Sequence, residues 1–314
     1  MHCEPAVPKT YSTFHGACEL KRTKITSKPN RLLFRSVVVW GYRAVLFASW
    51  FDNVMGLERM TKGDFMEFES YKSDFARDGF VIVRDFLSLQ EVAELERNLS
   101  RYIGEIVPGL PPTDAFYETK GSPETLKQMQ FMHNNDAFFD EFLRRNTYLE
   151  LAEALLGMPA IAQGVEYFNK PAGIGKQTPP HQDGYYFTLV PSEALTLWFA
   201  LDEVDEENGC VRYVPGSHKK GMRLHNLSNV LGFSQGIADW SPQDQAHEVK
   251  TVVRPGDLLA HHCDTIHRAD ANFSQRSRRA VAIVYYAAQA IPDLQAKARY
   301  MESSMKQREI LQAN

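Results

Sequence analysis

Apolar positions change their spacing midway along the chain. From Tyr71 a short helical segment ends at Gly79, and Phe80-Val81-Ile82-Val83 then reads as a strand. Ser88-Leu89-Gln90-Glu91 has the form of a capping box, in which Ser88 and Glu91 satisfy each other's free backbone donors at a helix start. Val92, Leu95, Leu99, Ile103 and Ile106 follow at three- and four-residue intervals, one apolar stripe that must face a core. The stretch from Pro108 to Pro123 reads as a long loop, and Thr147 to Leu156 as a second helix stopped by Gly157 and Pro159.

After Ala160 the helical period disappears. Short runs rich in aromatic and β-branched residues, separated by Gly, Pro and Asn, cover Gly164–Asn169, Tyr185–Val190, Leu195–Leu201, Val211–Val214, Asp257–His262 and Ala280–Tyr286. Helices first and antiparallel strands afterwards predict an α+β fold, most economically a double-sheet jelly roll flanked by helices. Leu294 to Leu311 predicts a C-terminal helix, and no internal repeat is present.

At 314 residues and 44% hydrophobic content the chain can bury a sizeable core. A net charge of -4 lacks the basic surplus of a nucleic-acid binder, which points to a small-molecule substrate instead. Cys3, Cys18, Cys210 and Cys263 are scattered, with no metal-site spacing and no disulfide framework, so a reducing, cytoplasmic setting is expected. Residues 1–60 carry nine Lys/Arg against four Asp/Glu, unlike the remainder. Within them Arg35 and Arg43 break the apolar run Leu32–Phe51 well short of the ~18 residues of a membrane span. Residues 1–65 are therefore read as an extension, or as translation begun upstream of the true start near Met60 or Met66, and 66–314 as the functional domain.

His181-Gln182-Asp183 precedes a predicted strand, and in extended backbone residues 181 and 183 share a face. Such a triplet is weak by itself. Downstream, Pro255-Gly256-Asp257 leads into a strand followed by His267, Asn272 and the cluster Arg276, Arg278, Arg279. Two histidines and one carboxylate leave about three of six positions open on an iron ion, where structural zinc would be closed by four protein ligands. A guanidinium can grip the far carboxylate of a dicarboxylic acid through two parallel hydrogen bonds. Arg278 is favoured for this by strand parity, with Arg276 and Arg279 as alternatives should a bulge intervene. His261 and His262 point to opposite faces of their strand and are taken as core or supporting residues, and His218 as structural.

With these residues the sequence resembles the phytanoyl-CoA dioxygenase family. The marks are His181-Gln182-Asp183, Pro215-Gly216-Ser217-His218, Pro255-Gly256-Asp257, His267 with Asn272, and Arg278. They are accompanied by Asp78-Gly79-Phe80, Asn169-Lys170-Pro171 and Glu207-Asn208-Gly209-Cys210. The resemblance runs from about Tyr71 to Tyr286. It implies a double-stranded β-helix, Fe(II) on His181, Asp183 and His267, and 2-oxoglutarate as co-substrate with O₂, bound by Arg278. It also implies that Lys127 and Trp198 border the 2-oxoglutarate. Ala269, two residues after His267, offers no side-chain hydrogen bond there.

The implied reaction is hydroxylation of a small molecule with release of succinate and CO₂. Asp183 argues against halogenation, since halogenating relatives carry a small residue in that place. The competing readings are a non-catalytic metal- and 2-oxoglutarate-binding module, and a zinc hydrolase with a metal-bound water. The substrate is not legible in the sequence.

Overall fold

The computed structural model describes residues 62–119, 121–230 and 233–312. Residues 1–61, most of the expected 1–65 extension, and the alternative start Met60 lie outside the described residues, whereas Met66 lies within the helix Lys62–Asp78.

Helix α1 (Lys62–Asp78) leads into β1 (Phe80–Val83), and α2 (Leu89–Arg101) follows. Ser88 and Glu91 form the expected reciprocal cap, and Val92, Leu95 and Leu99 are buried. The stripe does not continue as α-helix: Tyr102–Ile106 widens into a π turn, which buries Tyr102 and leaves Ile103 and Ile106 only partly covered. The expected loop after Pro108 contains a strand, β2 (Ala115–Tyr117), paired with β3 (Leu126–Met129). Helices α3 (Ala137–Leu143) and α4 (Asn146–Leu156) come next, α4 ending at Gly157 with φ 71°.

Strands β4 (Ala160–Lys170) and β5 (Thr178–His181) precede a one-turn helix α5 (Gly184–Phe187). The predicted Tyr185–Val190 strand is thus mostly helix, and only β6 (Leu189–Val190) is extended. There follow β7 (Ala194–Ala200), β8 (Val211–Tyr213), β9 (His225–Val230), β10 (Phe233–Ile237), α6 (Pro242–Ala246) and β11 (Val249–Lys250). The chain continues through β12 (Leu258–His262), β13 (His267–Ala269), β14 (Arg278–Ala287), β15 (Ile291–Pro292) and α7 (Leu294–Gln312).

The strands form a jelly roll. The major sheet has the order β1-β12-β7-β14-β4-β3-β2, and the minor sheet β11-β8-β13-β5. Alternation along the major sheet sorts its side chains. Leu195, Leu197, Phe199, Val281, Ile283 and Tyr285 pack on the helices with Leu95, Phe142 and Leu151. The other face carries Trp198, Ala200, Ala280 and Ala282, clustered with Tyr213 of the minor sheet. The small alanines on β14 leave room between the sheets, and the site lies there.

Candidate metal centre

His181 ends β5 and His267 opens β13, and the two are register partners across the minor sheet. Their rings lie 4.2 Å apart, both buried. In each ring Nδ1 lies against a backbone carbonyl two residues earlier, Pro179 O at 2.8 Å and Thr265 O at 2.9 Å. Nδ1 must be the donor in both, which makes Nε2 the lone-pair atom of each ring. Burial, and then the neighbouring His181, hold the His267 imidazole well below its ordinary pKa, so it is neutral as a metal ligand must be.

Asp183 does not reach this pair by strand alternation, as its spacing from His181 suggests. Its backbone is helical (φ -60°, ψ -33°), so the chain turns into α5 and swings the carboxylate back. Oδ1 lies 3.5 Å from His181 Nε2 and 3.7 Å from His267 Nε2. These separations are a few tenths of an ångström wider than the ~3.0–3.4 Å between adjacent ligands of a metal with ~2.1 Å bonds. Oδ2 accepts from Thr196 Oγ1 at 3.0 Å and lies 3.2 Å from His261 Nε2. His261 Nδ1 is 2.9 Å from the Tyr213 hydroxyl, so a chain of hydrogen bonds fixes the carboxylate.

Glycine suits the position after Asp183, because a Cβ on Gly184 would crowd Asp264 Oδ1 and Ser192 Oγ and force those side chains to shift. Gln182, the middle of the triplet, turns away from the centre and is fully buried. Its amide donates to Gly221 O and Asp264 O and accepts from the Arg223 N–H, tying the turn to two loops.

One chamber joins His181, Asp183 and His267 to Thr196, Trp198, His261 and Arg278. Arg278 begins β14 opposite Lys170 and is 5% exposed, with its guanidinium 5.3 Å over the Trp198 ring. Among the described residues no carboxylate is ion-paired with it, and its Nε has no hydrogen-bond partner. Burial pushes its pKa down to about 10. The alternative arginines are spent elsewhere. Arg276 pairs with Asp205 at 2.5 Å, and Arg279, on the opposite face, pairs with Asp202 at 2.6 Å and Glu96 at 2.7 Å.

Trp198 lines the chamber. Lys127 lines an adjoining cavity that shares Arg278, Phe168 and Thr178 with the chamber. It is buried on β3, with Nζ 3.4 Å from Glu118 Oε1, and burial lowers its pKa. Lys170, the middle residue of Asn169-Lys170-Pro171, lines the same cavity and donates to Lys176 O at 2.5 Å. Thr196, Tyr213 and the side of His261 that faces Asp183 were also not foreseen. Their signal is parity on β7, β8 and β12, which becomes readable only when His261 is registered against Thr196 and Tyr213 against His267.

The other motif residues act as staples. Asp257 is fully buried and accepts from the Asp85 N–H at 2.9 Å, the Arg254 N–H at 3.0 Å and Arg84 Nη1 at 2.6 Å. Ser217 Oγ accepts from the Ile266 N–H at 2.8 Å, next to His267. Asn272 donates to Lys170 O and Arg276 O, fastening the loop that delivers Arg278. His262 turns to Glu193, away from the centre. Three other grouped candidates, His262, Cys263 and Asp264, lie on that side; there His262 Nδ1 already accepts from the Asp264 N–H.

Comparison with known proteins agrees with this geometry. The family model for phytanoyl-CoA dioxygenase (PhyH) matches residues 75–280. A phytanoyl-CoA dioxygenase of Arabidopsis thaliana is 32% identical over 155 residues, covering 48% of this chain and 53% of the plant protein, so the chain spans about half of that relative. A probable alpha-ketoglutarate-dependent hypophosphite dioxygenase of Stutzerimonas stutzeri is 26% identical over 232 residues, covering 72% of this chain and 80% of that protein. Among solved structures, the epimerase SnoN in complex with Fe3+, alpha ketoglutarate and nogalamycin RO superposes with a TM-score of 0.57 at 26% identity, covering 72% of this chain and 85% of SnoN. With its fold, its motif residues and the matched span in agreement, the chain belongs to the phytanoyl-CoA dioxygenase family.

Proposed function

We propose that this chain is an Fe(II)- and 2-oxoglutarate-dependent dioxygenase that hydroxylates a small organic substrate and releases succinate and CO₂. One observation carries the reading: the Nε2 atoms of two imidazoles and one carboxylate oxygen converge within 4.8 Å of one another, in the same chamber as a buried arginine that has no carboxylate ion-pair partner among the described residues. The donor set fits an iron ion with open positions, and the unpaired guanidinium fits the far carboxylate of a dicarboxylic acid.

In this reading His181, Asp183 and His267 hold the iron, and Arg278 holds 2-oxoglutarate over Trp198. Lys127, across the shared wall, adds positive potential to the same pocket. Bound Fe(II), with 2-oxoglutarate and O₂, supplies the oxidising chemistry. The chain contributes the rest. Thr196 and His261 hold the Asp183 carboxylate in one orientation, while Trp198, Phe168 and Val211 exclude water from the chamber. Asp183 keeps a carboxylate where halogenation would need an open position.

A zinc hydrolase gives Arg278 no comparable partner. The chamber and the acidic net charge support a small-molecule substrate. A reducing, cytoplasmic setting belongs to the same proposal and rests on the free, buried thiols of Cys210 and Cys263. Residues 1–65 are left outside the catalytic domain, the family match beginning at 75. Among the described residues no helix is long and apolar enough to cross a membrane.

The test is aerobic incubation with Fe(II) and 2-oxoglutarate, with succinate measured by chromatography. Slow uncoupled succinate formation that Asp183→Ala and Arg278→Ala abolish is the expected result. A protein that binds both ligands and forms no succinate with any candidate substrate is a binding module, and the proposal fails.

A further inference from the structure

Beyond Phe168, the inner face of the major sheet carries one more charged residue. Alternation along β4 puts Glu166, Phe168 and Lys170 on one face, and the register sets them against Ala282, Ala280 and Arg278 of β14. The same register places Trp198 on the far side of Ala282, so Glu166 and Trp198 lie two strand spacings apart, ~10 Å, across a residue with only a methyl group. Phe168 lines the metal chamber and Lys170 the cavity behind Arg278. Along β4 the inner face therefore runs from basic, through aromatic, to acidic.

We infer that Glu166 binds a cationic nitrogen of the organic substrate, which makes that substrate a small amine, ammonium or amidinium compound. The inference rests on the function proposed above. Among the described residues no Lys, Arg or His forms an ion pair with Glu166; its side-chain partner is the Gln128 amide. Gln128 is itself buried, with an orphaned Oε1. Among the described residues the titratable groups that interact with Glu166 are Asp183 and Tyr286, neither of them basic. A carboxylate on the inner face that has no basic partner is matched by a cation brought with the substrate. Arg278 repels such a ligand from the co-substrate end, so the two ends sort an acid from a base.

The experiment uses the full chain loaded anaerobically with Mn(II) and 2-oxoglutarate, and measures by calorimetry the binding of cyclohexylmethylamine, cyclohexylmethanol and cyclohexanecarboxylate. The ammonium compound should bind at least about tenfold more tightly than the other two, as a charge-assisted hydrogen bond to the Glu166 carboxylate requires. Glu166→Gln should erase that preference and Glu166→Asp retain part of it, with 2-oxoglutarate affinity unchanged in both as evidence of intact folding. Equal or weaker binding of the amine, or a preference that survives Glu166→Gln, overturns the inference, as does failure of all three to bind. Failure of the parent protein to bind 2-oxoglutarate is a different result, which defeats the proposed function itself.

Discussion

Arg278→Met separates a functional charge from a structural one. The lowering of the Arg278 pKa to about 10 by burial corresponds to about 3 kcal/mol of unfavourable charge burial. The sign follows from linkage: a base whose folded pKa lies below its unfolded value destabilises the fold wherever it is charged in both states. The penalty is therefore complete below about pH 10. Methionine has similar length and no charge, so the variant without ligand should gain ~1–3 kcal/mol. In a domain of this size each kcal/mol is worth roughly 2–4 °C of Tm. The affinity for 2-oxoglutarate should fall at least about a hundredfold, because two charge-assisted hydrogen bonds are lost. Thermal unfolding followed by circular dichroism, with Mn(II) and with or without 2-oxoglutarate, reads both effects. At a concentration of 100 Kd the co-substrate stabilises the parent by about 2.7 kcal/mol, and a hundredfold weaker variant should keep no more than about 0.4 kcal/mol of this. A variant destabilised by more than ~2 kcal/mol, or one still stabilised by 2-oxoglutarate like the parent, would refute the assignment of Arg278.

Further outcomes follow from the staples. Asp257→Asn weakens three hydrogen bonds to a fully buried carboxylate and should cost about 2–4 kcal/mol in urea unfolding at pH 7. Burial opposes the Asp257 charge, but the N–H groups of Asp85 and Arg254, with Arg84, outweigh it and depress the folded pKa. The difference from the parent should hold above about pH 4 and vanish as pH falls through the lower folded value. Ser217→Ala removes the acceptor of the Ile266 N–H and loosens His267; Mn(II) affinity should drop about 10–100-fold with the fold retained, and an unchanged affinity would count against that role. Arg276→Ala breaks only an exposed pair with Asp205, so unfolding free energy should change by less than ~1 kcal/mol and 2-oxoglutarate binding not at all.

What the sequence revealed depended on how local the cause was. The Ser88–Glu91 cap and the Gly157 stop are set within a few residues, and both are found where the sequence places them. Strands buried on both faces, such as Ala194–Ala200, announce themselves by composition. Tyr185–Phe187 has the same aromatic texture and is helical, because the turn after Asp183 is imposed by contacts with Cys263, Asp264 and Ser192, distant in sequence. His181, Asp183 and His267 were legible as chemistry, though the geometry that joins them is a cross-strand pair plus a turn and not alternation. Arg278 was separable from Arg279 by parity, yet only the Asp202 and Asp205 partners remove the two rivals. Lys170 and Glu166 stayed silent because their meaning lies in which residues face them across β14.

The account is tested most directly by anaerobic titration of the Fe(II)-loaded protein with 2-oxoglutarate, followed by visible absorption. The prediction is a charge-transfer band from 2-oxoglutarate chelated to iron, absent in His267→Ala and Asp183→Ala and reached only at much higher co-substrate concentration in Arg278→Met. A parent protein that binds Fe(II) and 2-oxoglutarate yet develops no such band would contradict the assignment of this site.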